Sequence, residues 1–353
     1  MDLAAGDRAA ASRSITPTDP QPMSLYLPDH WIWDFWFAQD GDDVHVFFLY
    51  APRALGDPER RHRNARIGHA VSRDLRGWEL LPPALTNGRP GAFDDLATWT
   101  GSVLRHDGRW HLFYTGLSTG EDGAVQRIGL ATSDDLLRWD RPGQAVLEAD
   151  PRWYEKLGPD TREEAWRDPW VCWDEDSRRF HMLICARANY GPSDGRGVIG
   201  HAWSPDLRRW RAGPPLSQPG EFFHLEVPQL VRLDGLWRIL FCAWPRDHSA
   251  ARLARPGVVA EGGTHYLVAR EQFGRYALDR DAFLVGGPQG RYYAGRLLRH
   301  KGGWHFFAWQ HLDDEGRFLG ALSDPMPLTV HGDGSLSVQL PLSSTAYTAH
   351  TGG

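Results

Sequence analysis

The chain has 353 residues, 41% hydrophobic and 24% charged, and is long enough to bury a large core in one big domain or two ordinary ones. The net charge of −6 comes without a basic stripe or a block of like charges, so we expect no nucleic-acid partner. The three cysteines lack CxxC spacing and a histidine at ligand spacing, which predicts free thiols and neither a metal nor a cofactor.

The two ends of the chain differ in composition from the part between them. Residues 1–22 are small, polar and proline-containing, without the apolar core of a secretory signal, so they predict a disordered leader. No stretch is as long as a membrane span, and we expect no membrane partner and a cytoplasmic location. The folded domain is predicted to span residues 23–341, followed by a short tail at 342–353. No feature indicates an oligomeric state.

Five hairpins follow one another along the chain. Each has a turn rich in Asp and Gly and an aromatic return strand, which is a strand-turn-strand signal. They are "WDFWFAQDGDDVHVFFLYA" (33–51), "WTGSVLRHDGRWHLFYTG" (99–116), "RDPWVCWDEDSRRFHMLICA" (167–186), "EVPQLVRLDGLWRILFCAW" (226–244) and "YYAGRLLRHKGGWHFFAWQ" (292–310).

A second phrase is interleaved with the first three hairpins. It reads as a short strand, a Ser-x-Asp-Leu turn and a tryptophan that can cap the hairpin from outside. Its copies are "RIGHAVSRDLRGW" (66–78), "RIGLATSDDLLRW" (127–139) and "VIGHAWSPDLRRW" (198–210). Helical periodicity is scarce, and its best candidate is residues 160–166.

These repeats predict an all-β fold, a single five-bladed β-propeller. Each unit of roughly 60 residues can make a four-stranded sheet that cannot bury both faces alone, so the units must stack around an axis. The alternative is an irregular sandwich with accidental repetition. It is disfavoured because two different phrases keep the same alternating order along the chain.

Alignment of the hairpins on their turns places five residues at the start of the inner strands: Asp34, Thr100, Asp168, Glu226 and Tyr293. In a propeller these starts converge at one mouth of the channel. Three carboxylates from three blades would then share a pocket. Such convergence is unfavourable for stability and is found mainly where it serves chemistry. Retaining glycosidases need a close carboxyl pair, one as nucleophile and one as general acid and base.

Each acidic residue also has a structural interpretation. Asp34 would cap a turn, Asp168 would form an Asx-Pro turn paired with Arg167, and Glu226 would be a buried acid satisfied by His224. Their common register across blades favours the functional interpretation. Arg167 is then expected to fix Asp168 and to donate to a sugar hydroxyl.

Seventeen tryptophans allow two uses, as flat platforms for sugar rings or as packing between blades. The basic run at 53–66 is a solvated loop or a gate at the pocket mouth. We expect the substrate-binding side chains to include Trp33, Trp99, Thr100, Arg167, His224 and Tyr293, with Trp31, Trp36 and Trp170 as further sugar-stacking candidates.

With these residues the chain resembles the catalytic propeller of glycoside hydrolase family 32, the invertase and fructanase group, which is related to the levansucrases and to family 43. The resemblance covers roughly residues 28–341. Its motifs are "IGHAVSRDLRGWELLPPAL" (67–85), "WTGSVL" (99–104), the Arg-Asp-Pro of "WRDPWVCW" (166–173), "LEVPQL" (225–230) and "GALSDPMPLTV" (320–330).

The resemblance implies roles for the three carboxylates. Asp34 would be the nucleophile, Asp168 the stabiliser of the transition state and Glu226 the acid and base. The chain departs from the family at "WDFWF" (33–37), at Leu49 in place of a glutamine and at Ile67 in place of a tryptophan. These changes affect polar contacts that discriminate among sugars. The family's C-terminal β-sandwich is also expected to be absent.

The sequence therefore predicts a metal-independent glycosidase that binds a carbohydrate and cleaves fructofuranosides or a related furanoside, such as an arabinofuranoside, by double displacement. A transglycosylase that uses the same site is one alternative. A propeller that only binds glycans is another, and a propeller for protein interaction is a third.

Overall fold

The computed structural model describes residues 23–159, 161–287, 290–313 and 316–341. The predicted leader at 1–22 and the predicted tail at 342–353 lie outside these ranges.

The strands of the first three blades run in chain order. A short strand, β1 (Met23–Leu25), comes before them. The first blade contains β2 (His30–Asp40), β3 (Asp43–Pro52), β4 (Arg66–Ser72) and β5 (Glu79–Leu85). The second contains β6 (Ala97–His106), β7 (Arg109–Leu117) and β8 (Gln126–Ser133). The third contains β9 (Trp166–Asp174), β10 (Arg179–Arg187), β11 (Gly197–Ser204) and β12 (Arg211–Gly213).

The fourth and fifth blades complete the ring. The fourth contains β13 (Glu226–Leu233), β14 (Leu236–Ala243), β15 (Gly262–Ala269) and β16 (Ala277–Gly287). The fifth is built on β17 (Tyr292–His300), β18 (Gly303–Leu312), β19 (Phe318–Ser323), β20 (Met326–Val330) and β21 (Leu336–Val338).

The five sheets form a closed five-bladed propeller, as the repeats predict. The inner strands β2, β6, β9, β13 and β17 contact one another in that order, and β17 returns to β2. Strand β1 pairs with β19 in the fifth blade, so the start of the described chain is held by its last blade. The described residues end at 341 with no sign of a C-terminal sandwich among them.

The aromatic hairpins form because their turn residues tolerate positive φ. In the second blade Asp107 and Gly108 have φ of 49° and 78°, and in the fourth Asp234 and Gly235 have 45° and 78°. Two consecutive residues with positive φ make the tight turn that matches the twist of antiparallel strands. The register of each hairpin is thereby fixed.

The Ser-x-Asp-Leu phrase follows the third strand of the first three blades. In the third blade the Oδ1 atom of Asp206 accepts the backbone N–H groups of Arg208 and Arg209 at 3.0 and 2.8 Å. The buried Leu207 has a φ of 62°, and Leu75 and Leu136 match it at 67° and 62°. The side-chain hydrogen bonds hold this left-handed leucine in place.

Two of the three tryptophans that end these phrases pack between blades. The ring of Trp139 lies edge-on to Phe47 of the first blade, with centroids 5.9 Å apart, and Trp210 lies edge-on to Phe113 of the second at 5.4 Å. These rings bury large apolar area at the blade interfaces. Many of the tryptophans are therefore structural.

Helical segments are short throughout the described residues. One α-helical turn, α1, spans Ala250–Leu253, and the 3₁₀ segments are Arg53–Leu55, Pro58–Asn64, Thr119–Glu121, Ser193–Gly195 and Pro245–Asp247. None of the helices in this part of the chain is long and apolar enough to cross a bilayer.

The expectation of a helix at 160–166 is wrong. Residues 161–165 are not helical, because Glu164 is held by other parts of the chain. Its backbone N–H donates to the carbonyl of Ala124 at 2.7 Å, and its carboxylate accepts the N–H of Leu157 at 3.1 Å. These tertiary hydrogen bonds override the weak helical pattern.

Candidate active site

Every inner strand carries a β-bulge at the same place. The pairing register shifts between Trp33 and Phe35, between Trp99 and Gly101, and at the corresponding points of the other three hairpins. A bulge inserts one extra residue and re-aims the side chains around it. The residues at the bulge are Asp34, Thr100, Asp168, Val227 and Ala294, of which the last three have φ of 60°, 48° and 52°.

The bulges correct the register expected from the sequence. Asp34, Thr100 and Asp168 are equivalent, but Glu226 and Tyr293 precede their bulges by one residue. Their equivalents in the other blades are Trp33, Trp99 and Arg167. The hairpins therefore contribute two successive residues each, and the carboxylates come from two different layers.

The two layers enclose a cavity of about 400 Å³. All nine side chains predicted for catalysis or substrate binding line it. The other lining residues were not singled out by the sequence: Glu59, Arg61, His62, Glu163, Trp244, Arg246, Trp309 and His311. Of the further sugar-stacking candidates, Trp36 is fully buried against Phe47, and neither Trp31 nor Trp170 lines this cavity.

Asp34 is held by the neighbouring blade. The hydroxyl of Thr100, at the equivalent bulge, donates to its Oδ2 atom at 2.6 Å. The backbone carbonyl of Thr100 in turn accepts the hydroxyl of Thr115 at 3.2 Å. The Asp34 carboxylate is thus oriented by one short hydrogen bond from a side chain that is itself 1% exposed.

Asp168 lies deeper, with 3% of its surface exposed. Its Oδ2 atom accepts the backbone N–H of Val227 at 3.0 Å, and its own N–H donates to the Thr115 hydroxyl at 3.0 Å. The side chain is fixed between the second and fourth blades. Arg167 is nearby, but its Nε atom is 3.8 Å from Asp168 Oδ2, too far for a hydrogen bond.

Glu226 accepts two strong hydrogen bonds. The Nη2 group of Arg167 donates to its Oε1 atom at 2.7 Å, and the hydroxyl of Tyr293 donates to its Oε2 atom at 2.5 Å. The Tyr293 ring stacks on Trp244 with centroids 4.1 Å apart and planes 15° from parallel. Both oxygens of the carboxylate are therefore positioned by rigid neighbours.

A buried arginine that the sequence analysis missed lies beneath the carboxylates. Arg296, 1% exposed, donates from Nη1 to the carbonyls of Val227 and Pro228 at 2.8 and 2.7 Å. Its guanidinium carbon is 5.4 Å from the centre of the Trp170 ring, and its charge acts on Asp34 and Asp168. The signal available in the sequence was one charged residue, Arg296, inside the apolar stretch of β17.

The carboxyl groups are perturbed in opposite directions. Burial, with the negative charge of Glu226, raises the pKa of Asp34 despite the Thr100 hydrogen bond. Burial, with the charges of Asp34 and Glu226, raises the pKa of Asp168 to about 7 against the pull of Arg167. Burial is the largest influence and acts to raise the pKa of Glu226, but Arg167, His224 and Tyr293 together outweigh it and the pKa is lowered.

The pocket wall is aromatic and carries charges of both signs. Trp33, Trp99, Trp244 and Trp309 face it, and the Arg61 guanidinium lies over the Phe318 ring at 4.5 Å. Arg61 comes from the basic run at 53–66, which therefore forms part of the wall. In the described ranges, no three His, Cys, Asp or Glu side chains group as a metal site would require. The pocket suits a neutral polar ligand with a flat ring face.

A protein-family model matches most of this chain. The model of the glycosyl hydrolases family 32 N-terminal domain matches residues 37–314, which begins just after Asp34. A sucrose-6-phosphate hydrolase from Bacillus subtilis is 26% identical over 314 residues, 84% of this chain and 60% of that protein. A fructan 6-exohydrolase from Triticum aestivum is 29% identical over 237 residues, 64% of this chain and 37% of that protein. The chain spans less than two thirds of the length of these relatives.

Solved structures share the fold. An inulosucrase from Halalkalicoccus jeotgali bound to kestose has a TM-score of 0.73 and 23% identity, with 92% of both chains covered. A levansucrase from Bacillus subtilis has a TM-score of 0.66 and 15% identity, with 88% of this chain and 86% of that chain covered. At identities of 23% and 15%, this likeness shows a shared fold.

Proposed function

Because the chain belongs to glycosyl hydrolases family 32, we propose that its pocket cleaves a fructofuranoside, or a related furanoside, with retention of configuration. The observation that supports this most is the meeting of three carboxyl groups in one cavity, two with a raised pKa and one with a lowered pKa. Like charges gathered at a cost in stability are typical of catalytic sites.

In the proposed first step, Asp34 attacks the anomeric carbon while Glu226 gives its proton to the leaving oxygen. The bond from the anomeric carbon to that oxygen breaks, and a bond to the Asp34 carboxylate forms. In the second step Glu226 takes a proton from water, and the water oxygen displaces Asp34. The Thr100 hydroxyl, 2.6 Å from Asp34, keeps the nucleophile oriented through both steps.

Asp168 is proposed to stabilise the sugar in the transition states of both steps. Its carboxyl is held by the N–H of Val227 and faces the pocket beside Asp34, where positive charge develops on the sugar ring. A carboxylate there stabilises that charge, and a carboxyl there also accepts or donates hydrogen bonds to ring hydroxyls. Trp33 and Trp99, on the layer above, supply faces for the sugar.

The protonation pattern predicts an unusual pH dependence. Turnover needs Asp34 ionised and Glu226 protonated, yet the pKa of Asp34 is raised and that of Glu226 is lowered. When Asp34 and Glu226 share one proton, that proton is then more often on Asp34. The productive form, with the proton on Glu226, is the minority. The rate rises with pH through the pKa that Glu226 dominates, and falls through the pKa that Asp34 dominates, giving a broad bell with a low maximum.

Transfer of the sugar to another sugar is a second candidate. It uses the same first step, with a sugar hydroxyl in place of water in the second. The alignment with the inulosucrase bound to kestose covers 92% of both chains, and the alignment with the levansucrase covers 88% of this chain and 86% of that one. Products formed at high substrate concentration distinguish the two outcomes.

The test is a screen of sucrose, inulin, levan and arabinofuranosides with product detection. Release of free sugar from a fructoside, with the retained anomer formed first by NMR, supports the proposal. Activity on arabinofuranosides alone would show that the substrate is a related furanoside and not a fructofuranoside. Inactivity on all four, by folded protein, would overturn the assignment of a furanosidase.

A further inference from the structure

The guanidinium of Arg167 has almost no donor left for a substrate. Its Nη1 group donates to Gln126 Oε1 and Glu163 Oε1 at 3.1 and 3.2 Å. Its Nη2 group faces His224 Nδ1 at 3.2 Å and Glu226 Oε1 at 2.7 Å. Four of the five N–H donors of an arginine are thereby used within the protein.

The position of His224 fixes its tautomer. Arginine cannot accept a hydrogen bond, so Nδ1 of His224 must be the acceptor and the proton must be on Nε2. That Nε2 atom lies 3.2 Å from Glu163 Oε1. The neutral form agrees with burial and the charge of Arg167, which lower the pKa of His224. Arg167, His224 and Glu163 form a closed triangle.

Glu163 also has a third partner, because Gln126 Nε2 donates to its Oε2 atom at 3.0 Å. Its side chain is 32% exposed at the pocket wall, whereas that of Arg167 is 7% exposed. Glu163 and Glu226 therefore compete for one buried cation from opposite sides. A cation shared between two carboxylates lowers the pKa of each less than it would lower that of one alone.

We propose that Glu163 is a positioning residue for the proposed reaction: it divides the charge of Arg167 between two carboxylates and so keeps Glu226 able to carry the catalytic proton. The inference rests on the proposed role of Glu226 as acid and base. Without Glu163, Glu226 would be the one carboxylate hydrogen-bonded to Arg167 among those described, and the productive protonation state would become rarer.

Several other titratable groups also act on Glu226. They come from the first, third, fourth and fifth blades and from the segments between strands. They are Asp34, Arg61, His62, Asp168, Asp247 and Tyr293, in addition to Arg167 and His224. A shift in the titration of Glu226 after a substitution at Glu163 would report on the loss of the Glu163 charge beside Arg167 and His224.

The experiment compares Glu163→Gln with Glu155→Gln. Both remove a carboxylate that accepts hydrogen bonds from two side chains. Those at Glu163 are Arg167 and Gln126, whereas those at Glu155 are Arg187 and Arg196, and Glu155 does not line the pocket. The Glu226 carboxyl is titrated by ¹³C NMR in protein labelled at glutamate carboxyls, with its signal assigned by Glu226→Gln. The pH profile of kcat/KM is measured in parallel.

In Glu163→Gln, the Glu226 midpoint is expected to move to lower pH by roughly half a unit or more, and the acidic limb of the profile should follow it. Glu155→Gln should move neither, and Glu163→Asp, which keeps the charge, should restore both. An unchanged or higher midpoint in folded Glu163→Gln would overturn the inference. The titration needs no substrate, so inactive wild-type protein would overturn the proposed function separately.

Discussion

The inner bulges and the outer Ser-x-Asp-Leu turns both recur from blade to blade. The turns keep their residues, whereas the bulges do not. The turns keep the same residues in three blades, because each holds a left-handed leucine in the same way. The bulges keep their geometry in five blades while the side chain changes from Asp to Thr, Asp, Val and Ala. Constant residues mark shared structure here, and varied residues at a constant position mark the site.

The two regions also differ in the pKa values of their aspartates. Asp135 and Asp206 in the turns have pKa values lowered to about 2, first by hydrogen bonds from the backbone N–H groups of Arg138 and Arg209. Asp168 at a bulge has its pKa raised to about 7 by burial. An ionised aspartate thus stabilises the fold in the outer turns and destabilises it at the bulge.

The largest effect is expected at the two reacting carboxyls. Asp34→Asn and Glu226→Gln should each lower kcat/KM by roughly 10³-fold or more, with unchanged circular dichroism. A fructoside with a good leaving group should partly restore the first step in Glu226→Gln, since such a group needs no proton. It should not restore Asp34→Asn. Equal rescue of both variants would contradict the assigned roles.

A smaller loss is expected at the bulge of the second blade. Thr100→Val removes the hydroxyl that donates to Asp34 at 2.6 Å while keeping the shape of the side chain. The pKa of Asp34 should rise further, which should move the alkaline limb of the pH profile upward and lower kcat/KM roughly 10- to 100-fold. Thr100→Ser is the control and should remain near wild type. A similar loss in the serine variant would point to packing.

At the bulges, loss of a charge should raise stability. Asp168→Asn keeps an oxygen for the N–H of Val227 but removes an anion that burial destabilises. Because the folded pKa of about 7 exceeds the ordinary value of 3.8, the wild-type penalty is full above pH 7 and disappears below about pH 4. Urea unfolding should therefore show a gain on the order of 4 kcal/mol at pH 8 and almost none at pH 4. A loss at pH 8 would contradict the cause assigned to the raised pKa.

Much of the fold could be predicted because it depends on local signals. Asp107 with Gly108 marks a tight hairpin, and the recurring Ser-x-Asp-Leu phrase marks one strand and turn in each of three blades. The carboxylates of the pocket followed from the alignment of the hairpins. That alignment treated Glu226 and Tyr293 as equivalent to Asp34, although each lies one residue further from its hairpin turn, and so it placed both in the wrong layer.

The surroundings of the carboxylates could not be predicted in the same way. Glu163, His224 and Gln126 meet at Arg167 from three separate segments, and no spacing in the chain marks their contact. Arg61 reaches the pocket from the run at 53–66, for which the sequence allows either a solvated loop or a gate at the pocket mouth. Such contacts depend on how the blades and the loops between them are placed in space, which a repeat pattern does not encode.

The smallest effect is expected at an outer turn, and its sign should be opposite to that at the bulge. Asp206→Ala removes the acceptor of the Arg208 and Arg209 N–H groups, which should cost about 1 kcal/mol at pH 7 and leave kcat/KM unchanged. The folded pKa is lowered, so this contribution is full above about pH 4 and is lost as the pH falls toward 2. Glu175→Ala, at an exposed carboxylate outside these turns, should change neither property. Loss of activity in Asp206→Ala would show that the two regions are coupled, because a purely structural turn more than one strand from the pocket should affect stability alone.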